Sequence, residues 1–334
     1  MPNTPCARFG NIDDFEAGVS RGRVLVTGAN GFVGRALMSA LRDGGLDFRA
    51  AVRSADRRPP AAEFVAVGDL GPRTDWRNAL AGVDRVVHLA GRAHVRSPGD
   101  DDAFQRVNAE GTAGLARAAA AAGVRRFILL STVGVHGARS PGDRPLTEES
   151  PIAPVGPYAR SKWEAEESLR AIAGASGMEW VALRPPLVYG PGAPGNFARL
   201  LRWARSGFPI PLGALTARRS FVFVGNLASA VLRALQHPRA ANRPFLVSDG
   251  ADLSTGDLLR ALRAAGVPLR LVSIPAGPLR LLARWVGRAG EFGKLADPLE
   301  LDIGAIRRAL EWRPPWTVTE GLARSVRPES VGGK

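Results

Sequence analysis

The sequence predicts an α/β fold in which a doubly wound parallel sheet carries a smaller C-terminal domain. Short apolar runs alternate with helical stretches from Arg23 onward. Each strand–helix unit spans roughly 25–35 residues, the length such a crossover needs. After Arg184 the rhythm loosens and Pro, Gly and Arg become dense, which marks the second domain. A chain of 334 residues accommodates both, and 45% apolar content is ordinary for a folded protein.

The predicted strands are Val24–Thr27, Phe48–Val52, Phe64–Val67, Arg85–Leu89, Phe127–Ser131 and Trp180–Leu183, each a short run rich in β-branched or aromatic residues. Between them, helical periodicity covers Phe32–Arg42, Thr74–Ala81, Asp102–Ala122 and Tyr158–Ala173. Further on, Phe221–Val224 and Phe245–Val247 read as strands, and Leu258–Ala265, Pro278–Val286 and Ile303–Leu310 as helices. The resulting division is a loose extension over 1–21, a sheet domain over 22–184 that recovers later strands from 220–250, and a second domain over most of 185–330.

Composition excludes several function classes. No uninterrupted apolar window reaches about 18 residues, so no membrane span is predicted. Ala276–Val286 carries Arg280 and Arg284 and reads as an amphipathic surface helix. The polar N-terminus lacks a basic-then-apolar leader pattern. Cys6 has no cysteine partner within the chain, which fits a reducing, cytoplasmic setting, and His88, His94, His136 and His237 show no metal spacing, so no metal site is expected. The formal charge is +14, yet the basic residues are arginines apart from Lys162, Lys294 and Lys334. They are scattered, without nucleic-acid-binding spacing, and no nucleic-acid partner is expected.

The first predicted strand runs into Thr27-Gly28-Ala29-Asn30-Gly31-Phe32-Val33-Gly34. Glycines at every third position permit a tight turn, close approach to a pyrophosphate and close packing of the next helix, whose N-terminus favours phosphate. In this strand–turn–helix context the motif predicts a dinucleotide-binding Rossmann sheet. Asp69-Leu70 after the third strand places a carboxylate near an adenine, and Leu89-Ala90-Gly91 ends the fourth strand with small residues. Arg53-Ser54 closes the second strand where an acidic residue would bind a ribose 2′-hydroxyl, so NADP(H) is favoured, with NAD(H) left open.

Tyr158-x-x-x-Lys162 sets a phenol and an ammonium on one helical face. Such a pair predicts proton transfer to or from a carbinol during hydride transfer, the ammonium and the cofactor's positive ring together lowering the phenol's pKa. A hydroxyl at the fifth strand's end, Ser131 or Thr132, would hold the substrate oxygen. Asn108 is placed either in support of that site or as a solvated helix asparagine. The alternatives from other classes are a non-catalytic NADP(H)-binding sensor or scaffold, which has no need of the Tyr/Lys pair, and a nucleic-acid binder.

Together these motifs resemble the extended short-chain dehydrogenase/reductase family, and more narrowly its nucleotide-sugar epimerase/dehydratase branch, over residues 22–324. Leu183-Arg184-Pro185-Pro186-Leu187-Val188-Tyr189-Gly190-Pro191-Gly192 and Leu310-Glu311-Trp312-x-Pro314 extend the likeness. The resemblance implies a UDP- or dTDP-sugar substrate, Thr132 in the catalytic Ser/Thr slot, Pro185 beside the cofactor, and Asn196 and Arg219 on the nucleotide diphosphate. Arg218-Arg219-Ser220 suits that clamp chemically. Val133-Gly134 replaces the Asp-Glu pair of sugar dehydratases, which argues against dehydration. Leu187 and Arg53 depart from ordinary 4-epimerases. The stretches Gly195–Arg202, Pro211–Gly213 and Arg218–Ser220 look like 4-ketoreductases of UDP-6-deoxy-N-acetylhexosamines, although Gly134 and Gly225 stand where that subgroup often has Lys and Asp. A C4 ketoreductase is therefore expected, with a UDP-sugar 4-epimerase as the competing reading. A homodimer through the Asp102–Ala122 and Tyr158–Ala173 helices follows by analogy.

Overall fold

Alternation of apolar residues along β1 (Arg23–Thr27) sets up the layers: Val24 and Val26 face one hydrophobic core and Leu25 the other. The computed structural model describes residues 22–57, 63–93, 101–142 and 144–326. Cys6, His94 and the expected 1–21 extension lie outside them.

The chain continues through α1 (Phe32–Asp43), β2 (Phe48–Val52), β3 (Glu63–Ala66), α2 (Arg77–Leu80) and β4 (Val83–His88). Then follow α3 (Asp101–Phe104), a π-helical turn (Gln105–Glu110), α4 (Gly111–Ala121), β5 (Arg126–Leu130), α5 (Gly156–Ser176) and β6 (Glu179–Arg184). The later elements are β7 (Leu187–Tyr189), α6 (Gly195–Arg205), β8 (Pro209–Ile210), β9 (Arg218–Arg219), β10 (Phe221–Phe223), α7 (Val224–Gln236) and β11 (Arg243–Leu246). The chain closes with β12 (Leu253–Ser254), α8 (Thr255–Ala264), β13 (Arg270–Leu271), α9 (Ala276–Trp285), α10 (Ala289–Ala296), α11 (Gly304–Leu310) and α12 (Val318–Val326).

Seven strands form one parallel sheet in the order β11-β6-β5-β4-β1-β2-β3. The order reverses between β1 and β4, and the crevice at their carboxyl ends is where such sheets bind ligands. On one face, α1 and α7 pack over Val26, Ala50, Val87 and Ile128; on the other, α4 and α5 cover Leu25, Val86, Phe127 and Leu129. A further core gathers Tyr189, Phe197, Phe223, Leu259, Trp316 and Leu322, and the first turn of α1 packs against it.

Three expectations need correction. Thr74–Ala81 is helical only over Arg77–Leu80, because the Thr74 hydroxyl bonds the Asp69 and Gly71 carbonyls and holds a turn. Phe221–Val224 is a strand only to Phe223, pairs with β7 outside the main sheet, and passes directly into α7. The helix over 276–285 is present, but its outer face is apolar: Leu281, Leu282 and Trp285 are exposed while Arg280 is half-buried.

Candidate active site

The β1 edge closes on a cradle built from backbone. Gly28 adopts φ +68°, and a Cβ there would lie 2.7 Å from the Ala90 nitrogen. Only glycine lets the β1 and β4 ends approach this closely. Gly31 donates its N–H to the Gly28 carbonyl at 2.9 Å, with Asn30 exposed on the turn between them. Helix α1 then begins at Phe32 with no side-chain cap and no acidic residue in its first turn. The amides of Phe32, Val33 and Gly34 are left without intrahelical acceptors, which makes an anion site. A Cβ at Gly34 would sit 2.2 Å from the Gly28 carbonyl, so this glycine sets the spacing of helix and strand. The turn therefore fits the pyrophosphate of a dinucleotide.

At the outer edge of the crevice, Arg53 and Asp69 form a 2.9 Å ion pair, both largely exposed. The expected 2′-phosphate and adenine ligands thus hold each other across the ends of β2 and β3. Leu70 lies against Gly111 at the start of α4. On β4, the His88 ring lies 2.7 Å from the Thr27 hydroxyl and 3.1 Å from that of Thr112, while Ala90 N–H donates to Thr27. Burial, reinforced by the Lys162 charge, depresses the His88 pKa to about 3. His88 is a neutral brace for Leu89-Ala90-Gly91, and sequence reasoning missed it.

Beyond β5, Thr132 Oγ1 accepts from the Gly134 N–H at 3.1 Å. That contact occupies a lone pair and leaves the hydroxyl proton free to donate. Tyr158 stands in the first turn of α5, half-buried, its ring edge-on to Phe104 with centroids 6.0 Å apart. Lys162 is buried one turn further on. A Cβ at Gly91 would lie 3.0 Å from Asn108 Oδ1, with Lys162 Nζ in ordinary contact at 3.7 Å, so Gly91 leaves the Asn108 amide its space.

Asn108 is not a solvated helix residue. It is 1% exposed, accepts from Arg92 N–H, and donates to the Arg92 carbonyl and to Ser161 Oγ. Ser161 in turn donates to the Tyr158 carbonyl. The π-helical turn carrying Asn108 thus ties the end of β4 to the helix of Tyr158 and Lys162.

Burial dominates the electrostatics of the pair in the chain alone. Burial raises the Tyr158 phenol to about 12 and lowers Lys162 to about 8 against the opposing pull of Glu166. The resting phenol is a neutral acid, and the lysine carries its charge below about pH 8. We expect kcat/KM for hydride transfer to fall as pH rises through 8, because Lys162 deprotonates there while Tyr158 does not. A pH–rate profile flat to about pH 10 would remove Lys162 charge from the reaction.

Behind these residues lies a buried network that the sequence reading did not find. Arg184 and Glu166 form a multiply bonded ion pair with both side chains 4% exposed. Ser131, expected at the cofactor, donates its hydroxyl to Glu166 instead. Arg184 also donates to His136 Nε2 at 2.9 Å, so the other ring nitrogen carries the proton bonded to the Ser150 carbonyl at 2.9 Å. Pro185, also buried, takes the Val133 N–H on its carbonyl. Ser131 and Pro185 thereby fix both flanks of Thr132.

The two residues expected on a substrate diphosphate occupy separate elements. Asn196 is exposed at the start of α6 and bonds Arg199. Arg219, on β9, is half-buried and donates to the Asp297 carbonyl. Burial lowers its pKa to about 10, still charged at neutral pH. Among the described residues no His/Cys/Asp/Glu cluster could hold a metal, and no helix is long and apolar enough to cross a membrane.

A parallel sheet with a glycine cradle at its switch point and a Tyr/Lys pair beside it defines a nicotinamide-dinucleotide oxidoreductase architecture. The chain belongs to the NAD dependent epimerase/dehydratase family, which it matches over residues 24–247, within the extended short-chain dehydrogenase/reductases. It is 37% identical over 308 residues to a Vibrio cholerae UDP-glucose 4-epimerase, covering 90% of this chain and 94% of that one. It is 27% identical to the N-acetyl-alpha-D-glucosaminyl-diphospho-ditrans,octacis-undecaprenol 4-epimerase of Escherichia coli O157:H7, covering 93% and 96% of the two chains. Among solved structures, the NAD complex of the Thermus thermophilus UDP-glucose 4-epimerase superposes with a TM-score of 0.73 at 27% identity, covering 91% of this chain and 97% of that one.

Proposed function

We propose that this chain reduces the C4 ketone of a UDP-linked 4-keto-6-deoxy-N-acetylhexosamine, a step of surface-polysaccharide synthesis. The observation that supports the reading is Tyr158 one helical turn from the buried Lys162 on α5, with Thr132 free to donate from the end of β5. When bound, the reduced nicotinamide supplies a hydride to the sugar's C4. Tyr158 gives its hydroxyl proton to the carbonyl oxygen as negative charge develops there. Thr132 orients that oxygen by a hydrogen bond, and the Lys162 ammonium stabilises the phenolate left behind. Lys162 also holds the cofactor ribose. The amides of Phe32, Val33 and Gly34 hold the pyrophosphate, and Ser131 acts through Glu166 rather than by direct contact.

The smaller lobe, mostly residues 185–330, binds the UDP moiety, with Asn196 and Arg219 on its diphosphate. NADP(H) remains the favoured cofactor: Arg53 is exposed enough to turn from Asp69 to a 2′-phosphate. NAD(H) binding would leave that ion pair intact.

The second reading, UDP-sugar 4-epimerisation, is favoured by the activities that the V. cholerae and T. thermophilus relatives bear. It uses the same three residues and returns hydride to the opposite face of the keto-sugar. Incubation with NADPH and UDP-4-keto-6-deoxy-N-acetylglucosamine decides between them. Stoichiometric loss of NADPH absorbance is expected. No oxidation, with UDP-sugars interconverted in the absence of added reductant, would establish the epimerase instead.

A further inference from the structure

Helix α9 presents two apolar faces. Leu279 and Ala283 pack inward against the second core, and Arg280 is held by Asp297 at 2.8 Å and lies over the Phe292 ring of α10. The opposite face projects Leu281 at 62%, Leu282 at 60%, Trp285 at 88% and Val286 at 59% exposure. The spacing i, i+1, i+4, i+5 makes these one contiguous stripe. Large apolar side chains grouped this way on a surface mark a contact site.

The charge around the stripe identifies the occupant. Between residues 276 and 297 the chain carries Arg280, Arg284, Arg288 and Lys294 against Glu291 and Asp297, and Asp297 is taken up by Arg280, on a protein of formal charge +14. Arg284 and Arg288 are exposed beside the apolar stripe. A two-fold contact with a second copy would bring these arginines toward their own counterparts, which opposes self-association. A bilayer with anionic headgroups satisfies both features. Leucines and valine enter the acyl boundary, Trp285 sits at headgroup depth, and the guanidinium groups meet lipid phosphates.

We propose that the outer face of α9 docks the protein, in the interfacial plane, on an anionic lipid bilayer. One short helix gives reversible attachment, and no part of the chain needs to cross the membrane. The proposal is independent of the reaction assigned to the protein. Asp297 also links α9 to Arg219, whose guanidinium donates to its carbonyl, so the helix and this lobe's buried cation share one anchor.

The test is flotation of the full chain with phosphatidylcholine vesicles, with and without phosphatidylglycerol. Binding is expected only with phosphatidylglycerol and should weaken with salt. Leu281→Ser/Leu282→Ser/Trp285→Ser should abolish it, and Arg284→Glu/Arg288→Glu should reduce it by more than about tenfold. Because all five side chains are exposed, both variants should keep the wild-type melting temperature and NADPH affinity. Absence of binding to the anionic vesicles overturns the proposal, and so does binding that the serine variant retains. Concentration-dependent dimerisation lost in the serine variant would assign the face to a second copy and likewise overturn it.

Discussion

Replacing Tyr158 with Phe is expected to lower kcat for C4 ketone reduction by about 10³–10⁴-fold while leaving NADPH affinity within about twofold. The substitution deletes only the hydroxyl. Its ring contact with Phe104 persists, and Ser161 bonds the residue-158 carbonyl, not its side chain. Burial holds the phenol near 12, so in the reducing direction it begins as an acid with its proton in place. Without it the developing alkoxide keeps only the Thr132 hydrogen bond and has no proton source in the site. Stopped-flow reduction together with dinucleotide titration separates the two quantities. A kcat within tenfold of wild type would mean that Tyr158 is not the acid and that water or Thr132 supplies the proton.

The first six strands of the sheet were legible because each is a short apolar run with turn residues on both sides, and β1 carries its glycine turn directly. The later part was less legible for identifiable reasons. Helix α7 buries ten of its thirteen residues, Asn226 and Ser229 of its polar face among them, and it begins without a turn after Phe223, so nothing local separates it from the strand before it. β8, β9, β12 and β13 are two-residue pairings whose existence depends on tertiary contact.

The site divides similarly. Tyr158, Lys162 and the glycine turn are read from local spacing, and Thr132 from the family resemblance, but Asn108's burial depends on Arg92 and Ser161, which are brought to it by the fold. Glu166 did leave one signal. It continues the Tyr158, Lys162 register by another four residues, so an acid on that face of α5 was visible before its partner Arg184 was. Proximity of an ammonium to the phenol is readable from spacing, whereas the desolvation that burial imposes on both groups is not.

That buried acid gives the second large expected effect. Glu166→Ala should destabilise the protein by about 3–5 kcal/mol, because it strands the Arg184 guanidinium without a counter-ion and leaves Ser131 without its acceptor. The pair itself contributes less than this, since both groups lose hydration on burial. The double variant Glu166→Leu/Arg184→Met should therefore recover much of the lost stability. Activity should not recover with it. Ser131 and Arg184 flank Thr132 and the Pro185 carbonyl that receives Val133, so an apolar replacement restores packing but not the hold on Thr132. Glu166→Gln keeps an acceptor for Ser131 and should retain more kcat per folded molecule than the double variant does. Urea unfolding gives the stabilities, and kcat normalised to folded protein gives the rest. If Glu166→Ala stays within about 1 kcal/mol of wild type, Arg184 has found water or His136 sufficient, and the network is packing rather than support for the site.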